Sequence, residues 1–226
     1  MILPELPKND YIDPSGLHNE KSMWDLYKLS YKFPTSKPNI IFFILSLALL
    51  LIYCYCVEPS VAQVAGNLRV TLSFGASLAP GIIGFLVAGF TIFVTITKVE
   101  LFNFMAIKRY KNTNESYLKY NMSAFMLAFI HYCAYIFTCA ILVIFAQPNG
   151  PLILVVKFIF NEIYHYTDKN YYLDFLKIFF SFFGAWSIYL ILLLKTFVYN
   201  IYQVLCTTVR WSIESDNQKK ARKRTY

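Results

Sequence analysis

Four long apolar runs without a single Asp, Glu, Lys or Arg constrain this chain more than any motif in it. The first is Asn39 to Val57. The second is Leu72 to Thr97, the third Met122 to Phe145, and the fourth lies between Lys177 and Lys195. A bilayer crossing needs about 20 apolar helical residues, and each run comes close to that or exceeds it. Backbone polar groups inside a bilayer must be satisfied within the segment, so each run reads as a helix. With 57% hydrophobic and 15% charged residues, the 226-residue chain belongs among membrane proteins. The expected fold is all-α: four transmembrane helices with helical extensions on the cytosolic side. No cleavable leader is visible, because the opening residues are polar and the first apolar run is long enough to span.

Three segments organise the reading: a cytosolic lead over 1–38, a four-helix membrane domain over 39–206 and a basic tail over 207–226. Pro4, Pro7 and Pro14 prevent a helix at the start. Asn19 to Phe33 reads as a helix with Trp24, Tyr27 and Tyr31 on one face and lysines flanking it, suited to a membrane surface or to the protein's own cytosolic part. Span one is ringed by Leu, Ile and Phe and is placed facing lipid. Glu58 to Thr71 reads as a connection. Span two carries Pro80, where a kink or break is expected. After Lys98, Leu101 to Ile107 reads as the same helix leaving the bilayer. Leu152 to Tyr164 is apolar but too short to cross, so it is either re-entrant or a surface helix. Span four runs between Lys177 and Lys195, which are placed to snorkel to opposite interfaces. Its pattern continues through Phe197, Ile201, Leu205 and Val209 as an amphipathic helix suited to pairing with a neighbour.

Cations set the orientation. They crowd the lead, the second connection (Lys98, Lys108, Arg109, Lys111, Lys119) and the tail, and are sparse in the first and third connections. The positive-inside rule then places both termini in the cytoplasm. A composition rich in Lys, Asn, Ile, Tyr and Phe, residues with AT-rich codons, suggests an AT-rich genome and fits a bacterium, hence its inner membrane.

Within span two, Ser77, Gly81, Gly84, Ala88, Thr91, Thr95 and Lys98 recur at alternating spacings of four and three. They form one stripe of small residues ending in a lysine. Lipid is already apolar, so hydrophobicity cannot explain such a face. Small residues let backbones approach closely, and hydroxyls bond across helices or line water. The stripe is therefore expected either to pack tightly against another helix or to face a pore in an oligomer. Both hold if it packs along part of its length.

Chemistry is sparse. No zinc-type histidine spacing, P-loop, nucleophile elbow or dinucleotide fingerprint occurs. No carboxylate lies in a span, and intramembrane His131 reads as a neutral, hydrogen-bonded core residue. Cys54, Cys56, Cys133, Cys139 and Cys206 read as small buried hydrophobes. His165 with Asp168 reads as a chance acid–base pairing in a loop. No enzymatic activity, cofactor or metal is expected. A basic surface with aromatics is assembled from Lys108, Arg109, Lys111, Arg210, Trp211, Lys219, Lys220, Arg222, Lys223 and Arg224. Three partners suit it: anionic membrane lipid, a single-stranded nucleic acid, or an acidic cytosolic protein.

The run from Gly81 through Gly84, Gly89 and Thr91 to Phe93, followed by Lys98-Val99-Glu100-Leu101-Phe102, resembles a helix of small four-span bacterial anti-phage defence membrane subunits. The Hailong channel subunit is the nearer in character and the Kiwa membrane subunit its rival. About 25 residues and the general layout carry the likeness. It implies a homo-oligomer, with a tetramer the first expectation. It further implies a channel effector gated from the cytosol by short single-stranded DNA or by a cytosolic nucleotidyltransferase encoded alongside, depolarising the membrane when open. A non-conducting scaffold or sensor that recruits a cytosolic effector is the alternative.

Overall fold

The computed structural model describes residues 11–32, 37–57, 59–111, 113–147, 150–164 and 171–224. Among them are seven α-helices and no strand. The helices are α1 (Met23–Lys32), α2 (Lys37–Cys56), α3 (Val61–Ile96), α4 (Val99–Ile107), α5 (Tyr117–Phe145), α6 (Pro151–Tyr164) and α7 (Tyr171–Arg224). A 3₁₀ turn, Pro14–His18, precedes α1. Four helices are long and apolar enough to cross a membrane: α2, α3, α5 and the Tyr171–Glu214 part of α7. The chain is therefore a membrane-embedded helical protein. His165 and Asp168 lie outside the described residues.

The helix boundaries depart from expectation in instructive ways. α3 begins at Val61, so most of the expected connection up to Thr71 is helical. Ser60 Oγ accepts the Gln63 amide hydrogen at 3.3 Å while Gln63 Oε1 accepts that of Ser60 at 2.9 Å. This reciprocal capping box, directly after Pro59, starts the helix. α3 then passes through Pro80 without a break. It stops at Ile96, because Lys98 is extended (φ −63°, ψ 144°) and Thr97 Oγ1 donates back to the Phe93 carbonyl at 2.6 Å. The expected single helix is thus two, α3 and α4. The expected helix over Asn19 to Phe33 is shorter, beginning at Met23. Ser22 caps it: the Asp25 amide donates to Ser22 Oγ, and that hydroxyl donates to the Asp25 carboxylate at 2.8 Å. The latter bond holds the Asp25 carboxyl below its ordinary range.

The chain divides into two compact units, and the division falls inside α3, α5 and α7. One unit comprises 35–84 and 131–193. Several of its polar groups are tied to backbone carbonyls or to one another. Tyr132 Oη donates to the Leu190 carbonyl at 2.9 Å, and Tyr135 Oη and Ser187 Oγ share a hydrogen at 2.7 Å. Asn39, buried at the start of α2, donates to the Leu192 carbonyl. Gly75 permits close approach here, since a Cβ would lie 2.5 Å from the Tyr135 ring. Lys177 does not reach outward; it is buried, its ammonium 4.7 Å from the Tyr55 ring centre. This cation–π contact satisfies a charge that snorkelling was expected to place in water. His131 packs edge-on to Tyr189, ring centres 5.3 Å apart. Only Cys54 and Cys139 of the five cysteines are buried, whereas Cys56 and Cys206 are exposed.

The other unit comprises 1–34, 85–130 and 194–226. Its described core is aromatic: Phe93 meets Phe125 at 5.0 Å, and Phe125 meets Phe197 at 5.3 Å. Lys119 bridges Glu20 at 2.7 Å and Glu115 at 3.4 Å, joining the segment before α1 to the start of α5. Tyr110 stacks on Tyr120 at 3.9 Å, and Leu29 of α1 is buried with Tyr110. Trp24 stays exposed, stacked on Tyr27 with Lys28 over its ring. On α7 the inward positions are Phe197, Val204 and, partly, Ile201, Thr208 and Trp211. Leu205 and Val209, also expected on the pairing face, are exposed and not covered by the chain itself. Strict four-residue spacing drifts by about 40° per step, so it winds off a face that alternating three and four residues keeps.

Candidate functional site: an uncovered helix face and a donor-lined cavity

α3 has two opposite sides. Val64, Leu68, Leu72, Gly75, Ala79, Leu86, Gly89 and Phe93 are covered within the chain. Ser77, Gly81, Gly84, Ala88, Thr91 and Thr95 are all exposed, as is Lys98 just past the helix end. At about 100° per residue the two sets are centred about half a turn apart. A Cβ added at Gly81 or Gly84 would meet nothing within 4 Å. The stripe is a shallow channel between ridges, because Leu78, Phe85 and Ile92 on one side of it and Val87 and Val94 on the other are also exposed. Its hydroxyl hydrogens are engaged by the helix itself. Ser77 donates to the Ser73 carbonyl, Thr91 to Val87 and Thr95 to Thr91, each at 2.9 Å. The oxygen lone pairs remain as acceptors directed away from the chain's own core. Lys98 donates across to Ser212 Oγ on α7 at 2.9 Å, so its ammonium ties α7 to the end of α3.

The ten residues read as one basic surface are dispersed. Lys108 and Trp211 share a cavity of about 290 Å³ enclosed by α4, α5 and α7. Lys108 Nζ sits 5.3 Å from the Phe104 ring centre and 5.5 Å from that of Tyr117. The Trp211 ring leans on Phe104 at 4.8 Å. Its Nε1–H is buried with no hydrogen-bond partner among the described residues. Arg109 pairs by an isolated bridge with Ser116, and its Nε is likewise buried and unmatched. Lys111, at φ 47°, lies over Tyr110. Arg210 is exposed and paired with Glu214 at 2.7 Å. The backbone of Lys219, Lys220, Arg222, Lys223 and Arg224 completes α7, while their side chains lie outside the described residues.

The cavity also draws on residues that sequence reasoning passed over, Tyr117, Tyr120 and Asn121 of α5. The signal was present as two tyrosines, Tyr117 and Tyr120, close after the basic pair Lys108-Arg109, but only folding brings them into one lining with Trp211. No cluster of His, Cys, Asp and Glu able to hold a metal occurs among the described residues. Compared with protein-family models, with curated proteins and with solved structures, the chain matches none.

Proposed function

We propose that this protein is a homo-oligomeric channel of the bacterial inner membrane, assembled around the small-residue face of α3. The observation that carries the reading is that this face is uncovered along its whole length while the opposite face of the same helix is buried. A helix packing only against its own chain has no use for a second closely approachable face. Three small-x-x-x-small pairs lie on it: Ser77/Gly81, Gly84/Ala88 and Thr91/Thr95. Copies meeting along the glycines, with Thr91 and Thr95 turned to water, combine packing and conduction on one stripe. Both termini are placed in the cytoplasm by the cation distribution, and reporter fusions at either end test that placement.

The defence role and the gating ligand come from the likeness to four-span defence subunits. In this reading a short single-stranded DNA, held by the terminal cations of α7, controls opening, and a cytosolic nucleotidyltransferase supplies it. Changing Lys219, Lys220, Arg222, Lys223 and Arg224 to Gln should weaken binding of labelled DNA and flatten its salt dependence. Reconstitution into planar bilayers decides the central claim. Unitary currents from the purified oligomer are expected. An oligomer that carries no current under any ligand condition is the scaffold instead.

A further inference from the structure

We propose that the cavity between α4, α5 and α7 holds the phosphate headgroup of an anionic phospholipid. The inference stands apart from the channel reading. Among the described residues Lys108 is the one charged residue lining the cavity, and no carboxylate lines it. Its ammonium rests on two ring faces and makes no ion pair among the described residues. The Trp211 indole hydrogen is buried and unmatched. Asn121 Nδ2 donates only to the Met105 sulfur at 3.6 Å, a weak acceptor. The Lys108 ammonium thus stands in a lining that also carries the Asn121 and Trp211 donor groups and, among the described residues, no anionic acceptor. A phosphate diester supplies acceptor oxygens and the missing negative charge.

Location separates a lipid from a soluble phosphate. The cavity lies where α3 has ended and α5 begins, at one end of two spanning helices. Its Tyr and Trp lining is the composition of a membrane interface. Deeper along the same helices a second groove of about 140 Å³ is lined by Val87, Phe90, Phe125, Met126, Phe129 and Phe197 among others, all apolar. On α5 the step from Asn121 to Phe125 is about 6 Å, and on α7 that from Val204 to Phe197 is about 10 Å, towards the spans. Donors at the interface and an apolar groove one to two turns deeper match a headgroup and the start of an acyl chain.

The test titrates the purified full chain in mild detergent with phosphatidylglycerol, phosphatidylcholine and glycerol 3-phosphate, counting bound molecules by native mass spectrometry. Phosphatidylglycerol should bind roughly tenfold or more tightly than phosphatidylcholine, because the choline cation beside the phosphate would face the Lys108 ammonium in a lining with no carboxylate among the described residues to offset it. Glycerol 3-phosphate should not bind. Lys108→Gln should abolish the preference and Lys108→Arg should keep it. Thr207→Phe, at an exposed lining position, should expel the lipid with the charge intact. Equal binding of the two lipids, or a preference that survives both Lys108→Gln and Thr207→Phe, overturns the proposal. Glycerol 3-phosphate binding as tightly as phosphatidylglycerol overturns the lipid as the source and leaves a soluble phosphate ester.

Discussion

α2 and α3 are both apolar enough to cross a membrane, and each leaves one side uncovered by its own chain. On α2 that side is Ile40, Ile41, Phe42, Ile44, Leu45, Leu49 and Ile52. On α3 it is glycine, alanine, serine and threonine between larger ridges. Hydropathy barely distinguishes two such surfaces, but side-chain volume does. Large apolar chains of the kind exposed on α2 suit fluid acyl tails and specify no partner. The shallow stripe on α3 exposes helical backbone, and the gain from covering it comes only with a surface that fits. Equal hydrophobicity can therefore mark a lipid-facing helix and an assembly helix, and the volume profile tells them apart.

The largest effect expected from breaking this contrast is at Gly84. A Cβ there meets nothing within 4 Å and the position is exposed, so the protomer should fold as before. It would nevertheless raise a ridge where copies approach. Gly84→Leu should abolish the oligomer in detergent sizing and silence conductance. Leu45→Ala, at an exposed α2 position, should leave both unchanged. If both variants assemble and conduct like the parent, the two faces are equivalent and the channel reading fails.

A smaller effect is expected at Gly75, on the covered side of α3. Tyr135 cannot easily yield to an added Cβ, because its hydroxyl is held by Ser187. Gly75→Ala should destabilise the protomer by about 1–3 kcal/mol through overpacking. Thermal melting should read this as a lower midpoint, while the folded fraction keeps its subunit number. The pair of glycine variants thus separates folding from assembly on one helix.

The four spans were legible because uncharged length is a direct demand of the bilayer, and the small-residue stripe of α3 follows from helical periodicity. The start of α3 was legible too, in Pro59-Ser60 followed by Gln63, but looking for a turn after a span hid it. The dispersal of the basic residues was not legible. Which cations share a surface depends on the turn between Lys108 and Tyr117, closed by the Tyr117 amide donating to the Lys108 carbonyl at 2.9 Å and the Tyr110 amide to that of Glu115 at 2.8 Å, a backbone pairing that no hydrophobic period announces. Nor does charge counting foresee that Lys177 settles on Tyr55, since a ring face competes with water only once folding supplies it.

The smallest effect, and the sharpest for the contrast, is expected at the two threonines. Thr91→Val with Thr95→Val keeps the volume of the stripe and removes only hydroxyls. Their hydrogens already go to the helix's own carbonyls, so stability should change by no more than about 0.5 kcal/mol, as for exposed positions. Assembly, which depends on shape, should hold. What the pair loses is two oxygen acceptors per copy. If that part of the stripe faces water in the oligomer, those oxygens solvate passing ions, and unitary conductance should fall several-fold at an unchanged subunit number. If it is buried between helices, conductance should match the parent. A matching value would place the whole stripe in the packing interface and move the search for the pore to another surface of the oligomer.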